Sequence, residues 1–207
     1  LLFAQQLLYS LFSFLVVAAL RPLVSGRLLL MAVFALVLLN PFMHLYPAVG
    51  RVMRLGLSMP LVLVTFTCMF GLVSRVRGSL KSKIMWSSGL GLFFSYLWFT
   101  REEGIWMVPS MGLTLLLFLL ADAIYSKKEL LLRFLVIAWI GCIFWGLQMI
   151  FASLNEKHYG HPVINELKSV QFSSALGALM NIDTGKVQRK VPVSAEAQKL
   201  AFSVSPT

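Results

Sequence analysis

The sequence predicts an all-α, polytopic membrane protein: a transmembrane helical bundle of about six spans, followed by a small and mostly helical extracytoplasmic tail. Composition is the first reason. The 207 residues are 58% hydrophobic and only 13% charged, whereas a soluble domain carries roughly a quarter charged residues. The second reason is that the apolar residues come in long runs without apolar/polar alternation. Helices satisfy the backbone of such runs in lipid.

Hydropathy along residues 1–154 separates six candidate spans. Several reach the ~17–25 residues that a helix needs to cross the hydrocarbon layer. The fourth is short for a full crossing, because its 16 residues would extend roughly 24 Å as a helix. The predicted spans are residues 1–20, 28–43, 55–74, 84–99, 105–124 and 134–153.

Residues 155–207 form the predicted tail, whose apolar residues are too scattered to span a membrane. The stretch "VINELKSVQFSSALGALM" places its later apolar residues at helical spacing. In "VPVSAEAQKLAF", Ser194 is suited to cap the start of a helix. We therefore expect two short helices that pack on each other or on the outer face of the membrane region.

The basic residues predict the orientation of the spans. Loops 21–27, 75–83 and 125–133 hold nine lysines and arginines, whereas loops 44–54 and 100–104 hold three. Because basic loops stay in the cytoplasm, the first set is predicted to be cytoplasmic. The second set and the tail 155–207 are then extracytoplasmic.

The net charge of +10 is explained by these topology signals and by their attraction for anionic lipid head groups. Membrane lipids are therefore expected partners, and nucleic acid is not. The sequence identifies no protein partner.

The segment "WFTREEGIWMVP", residues 98–109, places three consecutive charges between two tryptophans. Indoles favour the head-group layer, so Trp98 and Trp106 indicate that Arg101, Glu102 and Glu103 lie at the outer membrane interface. Charges at membrane depth are costly unless they face water or a polar partner. The charges either line a pocket on the outer face or form an ordinary solvated turn.

"TREEGIW" followed by a long apolar run resembles the Arg-Pro-Glu-Gly type of signature of GT-C superfamily glycosyltransferases. The matching residues are Arg101, Glu103 and Gly104, while Glu102 stands where that pattern usually has proline. The segment "NPFMHLYPAVGRVMRLGL" also resembles an outer loop of that superfamily. The resemblance implies an integral membrane enzyme that takes a sugar from a polyprenyl-phosphate-linked donor and transfers it on the extracytoplasmic side.

The resemblance also suggests roles for particular residues. Arg101 would contact the donor phosphate or sugar, because arginine offers paired donors to phosphate. Glu103 would orient Arg101 or bind a sugar hydroxyl. Tyr46 is a further candidate, with an interface anchor as the alternative. The candidate substrate-binding residues are Arg101, Glu102, Glu103, Arg51, Arg54 and Tyr46.

No catalytic residue can be assigned within this sequence. Enzymes of the superfamily usually depend on an acidic residue in their first extracytoplasmic loop, and the sequence contains no such loop. We therefore expect the catalytic acid to precede Leu1, in a longer protein of which this chain is the C-terminal part.

No cofactor is identified either. Binding of a divalent cation is left open, but His158 and His161 have no third ligand nearby in the sequence. The alternative function is a non-enzymatic polytopic membrane protein, such as a transporter subunit or an assembly factor.

Overall fold

The computed structural model of the chain describes residues 2–40, 54–100, 102–121, 127–164, 170–182 and 193–204. Every regular element within these ranges is helical, which confirms the predicted all-α class. The chain divides into two compact units, Leu1–Phe151 and Ala152–Thr207. The described helices are α1 (Leu2–Leu20), α2 (Arg27–Leu38), α3 (Arg54–Val73), α4 (Leu80–Thr100), a 3-10 turn (Glu102–Trp106), α5 (Met107–Leu120), α6 (Lys127–Tyr159), α7 (Val170–Met180) and α8 (Ala195–Val204).

One stretch of the described residues, Glu129–Tyr159 within α6, is both long and apolar enough to cross a membrane. Four other apolar helical stretches are shorter, at 10–17 residues each. The six-span bundle therefore stays a prediction. The shorter stretches are Gln6–Leu20, Arg27–Leu38, Leu57–Val73 and Gly104–Leu120.

Two helix boundaries differ from the predicted spans for identifiable reasons. α2 ends at Leu38, before the predicted residue 43, because Asn40 precedes Pro41 and proline disfavours helical backbone in the residue before it. α4 begins at Leu80, four residues earlier than predicted. Ser79 starts it, since its hydroxyl accepts from the Ser82 amide at 3.4 Å and its carbonyl accepts from the Lys83 amide at 3.1 Å.

The earlier start of α4 corrects the expectation that the fourth helix is short. α4 has 21 residues, or roughly 31 Å at 1.5 Å per residue, so the fourth helix is not short. α6 has 33 residues and extends well beyond the predicted 134–153. It stops at Gly160, whose φ of +76° is a left-handed conformation that favours glycine at a helix end.

α3 lies at the centre of the first unit and contacts α1, α4 and α5. Its core face is buried, with Val64 and Leu72 fully enclosed and facing a buried face of α4 that includes Leu90. Buried hydroxyls bond within their own helices, as when Thr65 Oγ1 donates to the Leu61 carbonyl at 2.6 Å. Such internal bonds leave the helix surfaces free to pack through apolar contacts.

Glycines in α4 allow close helix approach. A Cβ added to Gly91 would lie 3.0 Å from Ile143 Cβ and 3.1 Å from the Ile140 carbonyl oxygen, so α4 and α6 nearly touch there. A Cβ on Gly89 would lie 3.2 Å from Cys68 Sγ, on the α3 side. α4 therefore packs tightly between α3 and α6.

In the second unit, α7 and α8 pack against each other. The structure shows the cap predicted at Ser194, whose hydroxyl accepts from the Ala197 amide at 3.1 Å. Ala197 is buried. At the other end of this unit, Asn155 Nδ2 donates to the Val163 carbonyl at 2.8 Å and ties the segment after α6 back to that helix.

The contact at Gly91 predicts the effect of a single methyl group. Gly91→Ala should lower the free energy of unfolding by about 1–2 kcal/mol, because overpacking costs more than the helix propensity that alanine adds. Gly141→Ala in α6 is the matched control, since a Cβ there meets nothing within 4 Å. It should leave stability unchanged or raise it. Thermal unfolding of the purified chain in detergent measures both, and equal effects would contradict the close approach.

Candidate functional site

The turn between α4 and α5 carries the charges that the sequence singles out. α4 ends at Thr100, a 3-10 turn spans Glu102–Trp106, and α5 starts at Met107. Pro109 falls in the first turn of α5, where its missing N–H breaks no helical hydrogen bond. The chain thus reverses direction over a few residues.

Gly104 allows this reversal to fold back onto α4. It is buried, and a Cβ there would lie 3.4 Å from Trp98 Cε3 and 3.5 Å from Trp98 Cα. The two flanking tryptophans are not equivalent. Trp98 is half-buried, whereas Trp106 is 78% exposed. Trp106 therefore projects from the turn, while Trp98 is a packing residue.

Aromatic rings next to the turn join α4 to α6. The Phe144 ring centroid lies 5.2 Å from that of Phe94 and 5.8 Å from that of Trp98. Further along, the Phe99 and Phe151 centroids are 4.4 Å apart. Such pairs contribute about 0.5–1.5 kcal/mol each beyond the area they bury. The turn therefore packs next to a cluster of aromatic side chains from α4 and α6.

Gln148 is a polar residue next to this aromatic cluster, and sequence reasoning did not assign it to the site. It lies one helical turn from both Phe144 and Phe151, on the same face of α6. Its side chain is 6% exposed, and its Nε2 has no hydrogen-bond partner among the described residues. A buried donor left unpaired costs about 1–3 kcal/mol. A glutamine inside an apolar run was the sequence signal for it.

At the opposite end of the helices, cationic side chains contact helix carbonyls and a carboxylate, and Arg75 makes the most of these contacts. Its Nη2 donates to the Ala18 carbonyl, and its Nη1 donates to the carbonyls of Ala19 at 3.4 Å and Gly71 at 3.2 Å. The guanidinium also lies 4.8 Å from the Trp86 ring centroid. Arg75 thereby satisfies carbonyls at the C-terminus of α1, where a helix lacks internal partners and attracts positive charge.

Burial also affects this residue electrostatically. Desolvation lowers the pKa of the Arg75 guanidinium.

Arg133 of α6 repeats this arrangement at the end of α5. Its side chain is 2% exposed, and its Nη1 donates to the carbonyls of Phe118 at 3.2 Å and Leu119 at 3.3 Å. Beside it, Lys83 of α4 is 3% exposed and lies 3.5 Å from Glu129 of α6. We call Arg75, Lys83, Glu129 and Arg133 the basic end.

The basic end is built for holding helices together. Each of its cations contacts helix carbonyls or a carboxylate, so these charges complete the protein's own structure. Within the part of the chain that the structure describes, no group of three or more histidines, cysteines or acidic residues could hold a metal ion.

Contacts between helices show which of the candidate substrate-binding residues lie at the same position along the helix axes. Gly71 meets Trp86 and Cys68 meets Gly89, so α3 and α4 are antiparallel. Continuing this register places Arg54, the first residue of α3, level with the 3-10 turn that contains Glu102 and Glu103. The side chains of these three residues, and all of Tyr46, Arg51 and Arg101, lie outside the described residues.

Comparison of the chain with protein-family models, with curated proteins and with solved structures found no match in any of the three.

The ion pair at the basic end predicts an asymmetric response to mutation. Glu129→Gln should destabilise the chain by about 1–3 kcal/mol, because it leaves the buried ammonium of Lys83 without a charged partner. Lys83→Met should cost less, since it leaves only a half-exposed carboxylate. Thermal unfolding of both variants in detergent would test this. A larger loss for Lys83→Met would show that the pair does not hold α4 to α6.

Proposed function

We propose that the chain crosses the membrane six times, at α1 to α6, and belongs to a glycosyltransferase that takes a sugar from a polyprenyl-phosphate donor on the extracytoplasmic side. The observation that carries the proposal is the alternation of the helices. It gathers the basic end at one end of the bundle and the charged "TREEG" turn at the other. This is the arrangement that a membrane would impose on a chain with these loops.

Three sets of contacts support the alternation. α3 and α4 run antiparallel, as described above. α4 and α6 run parallel, because Ser88 accepts from Trp139 Nε1 at 2.8 Å and Phe99 meets Phe151. The bonds from Arg133 join the start of α6 to the end of α5, so these two run antiparallel.

Helix length fits this proposal for most of the spans. The 19 residues of α1 and the 20 of α3 extend roughly 28–30 Å, close to the ~30 Å of the hydrocarbon core. The 12 residues of α2 extend only about 18 Å. The 14 residues of α5 extend about 21 Å, so α2 and α5 both fall short of that thickness.

The outer surface of the helices is also suited to lipid. Leu28 is 84% exposed, Leu36 74% and Met149 67%. Large apolar surfaces of this kind are uncommon on soluble monomers. Embedding the helices in a bilayer would cover them.

The chemistry of sugar transfer assigns roles to the turn. The departing polyprenyl phosphate needs a cation, and Arg101 offers bidentate donors to it. Glu103 would orient Arg101 or bind a sugar hydroxyl, and the unpaired amide of Gln148 adds a buried donor at the same end. The transfer also needs a base that deprotonates the acceptor hydroxyl.

The six-span topology can be tested separately from activity. In a background with Cys68→Ser and Cys142→Ser, single cysteines at Ser79, Ile105 and Ser203 would be labelled in intact cells with a membrane-impermeant maleimide. We expect Ile105→Cys and Ser203→Cys to react and Ser79→Cys to react only after permeabilisation. Ile105 is the deciding position because it is 57% exposed. If α6 alone crossed the membrane, Ile105→Cys would behave like Ser79→Cys.

The enzymatic activity would be tested on the full-length protein in liposomes, with a panel of polyprenyl-phosphate sugars. Release of polyprenyl phosphate should fall roughly 100-fold in Arg101→Ala, the scale on which loss of one preorganised donor to a reacting oxyanion acts. Glu103→Ala should also reduce it. Lys157→Ala and Glu156→Ala are charge-matched controls at exposed positions and should retain release.

The same experiment separates the two candidate functions. Unchanged release in a folded Arg101→Ala protein would overturn the role of that residue. No release with any donor, by a folded protein, would favour the non-enzymatic alternative. The charges at 101–103 would then be a solvated turn.

A further inference from the structure

The end of the helices that holds the basic end also carries cations that face away from the protein. Arg21 directly follows α1, Arg27 begins α2, and Lys81 lies in the first turn of α4. All three side chains are exposed. The bond from Arg75 to the Ala19 carbonyl places the end of α1 beside the end of α3, so these cations gather at one end of the first unit. We call Arg21, Arg27 and Lys81 the exposed cations.

On α2 and α4, the exposed cation lies next to an exposed apolar side chain on the same helix face. Met31 follows Arg27 by one turn and is 67% exposed. Met85 follows Lys81 by one turn and is 59% exposed. Residues four apart are neighbours on a helix surface. Each helix therefore presents a charge at its end and apolar surface directly after it.

α1 shows the same arrangement in the reverse chain direction. The Arg21 amide donates to the Val17 carbonyl at 3.0 Å, which continues the helical turn beyond Leu20. Arg21 thus shares a face with Phe14, seven residues earlier, which is 63% exposed. Three helices therefore carry a cation at the same end, each above apolar surface that the chain leaves uncovered.

The sequence around this end has a large excess of positive charge. Residues 21–27, 75–83 and 122–133 hold nine lysines and arginines and two carboxylates, Asp122 and Glu129. Residues 44–54 and 100–104, towards the opposite end, hold three cations and two carboxylates. Because like charges repel, a bound anion at the first of these ends would be attracted by more than one cation.

The pairing of charge with apolar surface selects the kind of partner. Arginine and lysine form charge-assisted hydrogen bonds with phosphate oxygens. A nucleotide or an acidic peptide would use the charges and leave the large apolar side chains exposed. A phospholipid satisfies both, since its phosphate meets the cation while its acyl chains cover the apolar surface that follows.

We infer that the exposed cations bind the phosphates of anionic phospholipids, whose acyl chains lie along the helix faces that hold Phe14, Met31 and Met85. The inference rests on the proposed membrane embedding but not on sugar transfer. It goes beyond the orientation of the chain, because orientation requires positive loops, whereas this binding predicts that the folded protein prefers one lipid head group over another.

The test uses the full chain in nanodiscs that contain equal amounts of phosphatidylglycerol and phosphatidylcholine with identical acyl chains. After extraction into a mild detergent, mass spectrometry would quantify the lipid that stays bound. Because the chains are identical, only the head group can cause a preference. We expect phosphatidylglycerol to be enriched about fivefold, the scale set by one basic residue near an anionic surface.

Paired variants separate the exposed cations from the total charge. Arg27→Gln combined with Lys81→Gln should lower the enrichment from about fivefold to about twofold, since one exposed cation remains. Lys157→Gln combined with Lys199→Gln is the charge-matched control at two other exposed positions and should keep the enrichment.

The apolar part of the inference has its own variant. Met31→Ser combined with Met85→Ser should lower the amount of both bound lipids and leave their ratio unchanged, because it removes apolar contacts and no charge. A changed ratio with an unchanged amount would contradict the placement of the acyl chains.

Two further outcomes would overturn the inference. Equal retention of both lipids by the wild type would remove the head group from it, and an equal loss in the Lys157 and Lys199 control would assign the preference to total charge. The readout needs no sugar transfer, so an inactive protein would still show the enrichment. If Ile105→Cys reacts as expected but enrichment is absent, this inference fails while the proposed embedding stands.

Discussion

The guanidinium of Arg75 is the contact on which the packing of the first unit depends. It joins three helices at one point, since it donates to carbonyls at the end of α1, donates to its own helix at Gly71 and lies over the ring of Trp86 in α4. A Cβ on Gly71 would lie 2.3 Å from Trp86 Cε3. Any residue with a Cβ at position 71 would clash with the indole of Trp86, so glycine is needed there for the ring to lie against the Arg75 guanidinium. One charge, one ring and one absent side chain thus set the register of α3 against α4.

The two ends of the helices differ in whether their polar groups are already satisfied within the protein. At the basic end, buried charge is balanced by helix carbonyls and by Glu129, so it stabilises the fold and leaves little for a ligand. At the "TREEG" end, aromatic rings provide rigidity without using polar groups, and Gln148 stays unpaired among the described residues. A binding site needs a rigid support and a polar group that is not yet hydrogen-bonded, because groups already satisfied by the protein are not available to a substrate.

Sequence reasoning predicted the helices well and their contacts poorly. Long apolar runs located the helices because composition alone decides whether a segment can stay out of water. The N-cap at Ser194 was also predicted, since it depends on neighbours within one turn. The length of α4 was wrong, because Lys81 and Lys83 were taken as loop residues although Ser79 starts the helix before them. That Arg75 and Arg133 bond to carbonyls of neighbouring helices depends on residues distant in sequence, which no local pattern reveals.

The arginines at the basic end have a consequence for how the protein is made. In the proposed topology, translocation machinery would read the positive loops while the chain is still unfolded, and in the fold some of the same side chains complete the ends of α1 and α5. The same arginines would then serve both orientation and assembly. A substitution that removed one of these charges would weaken the folded state as well as the orientation signal.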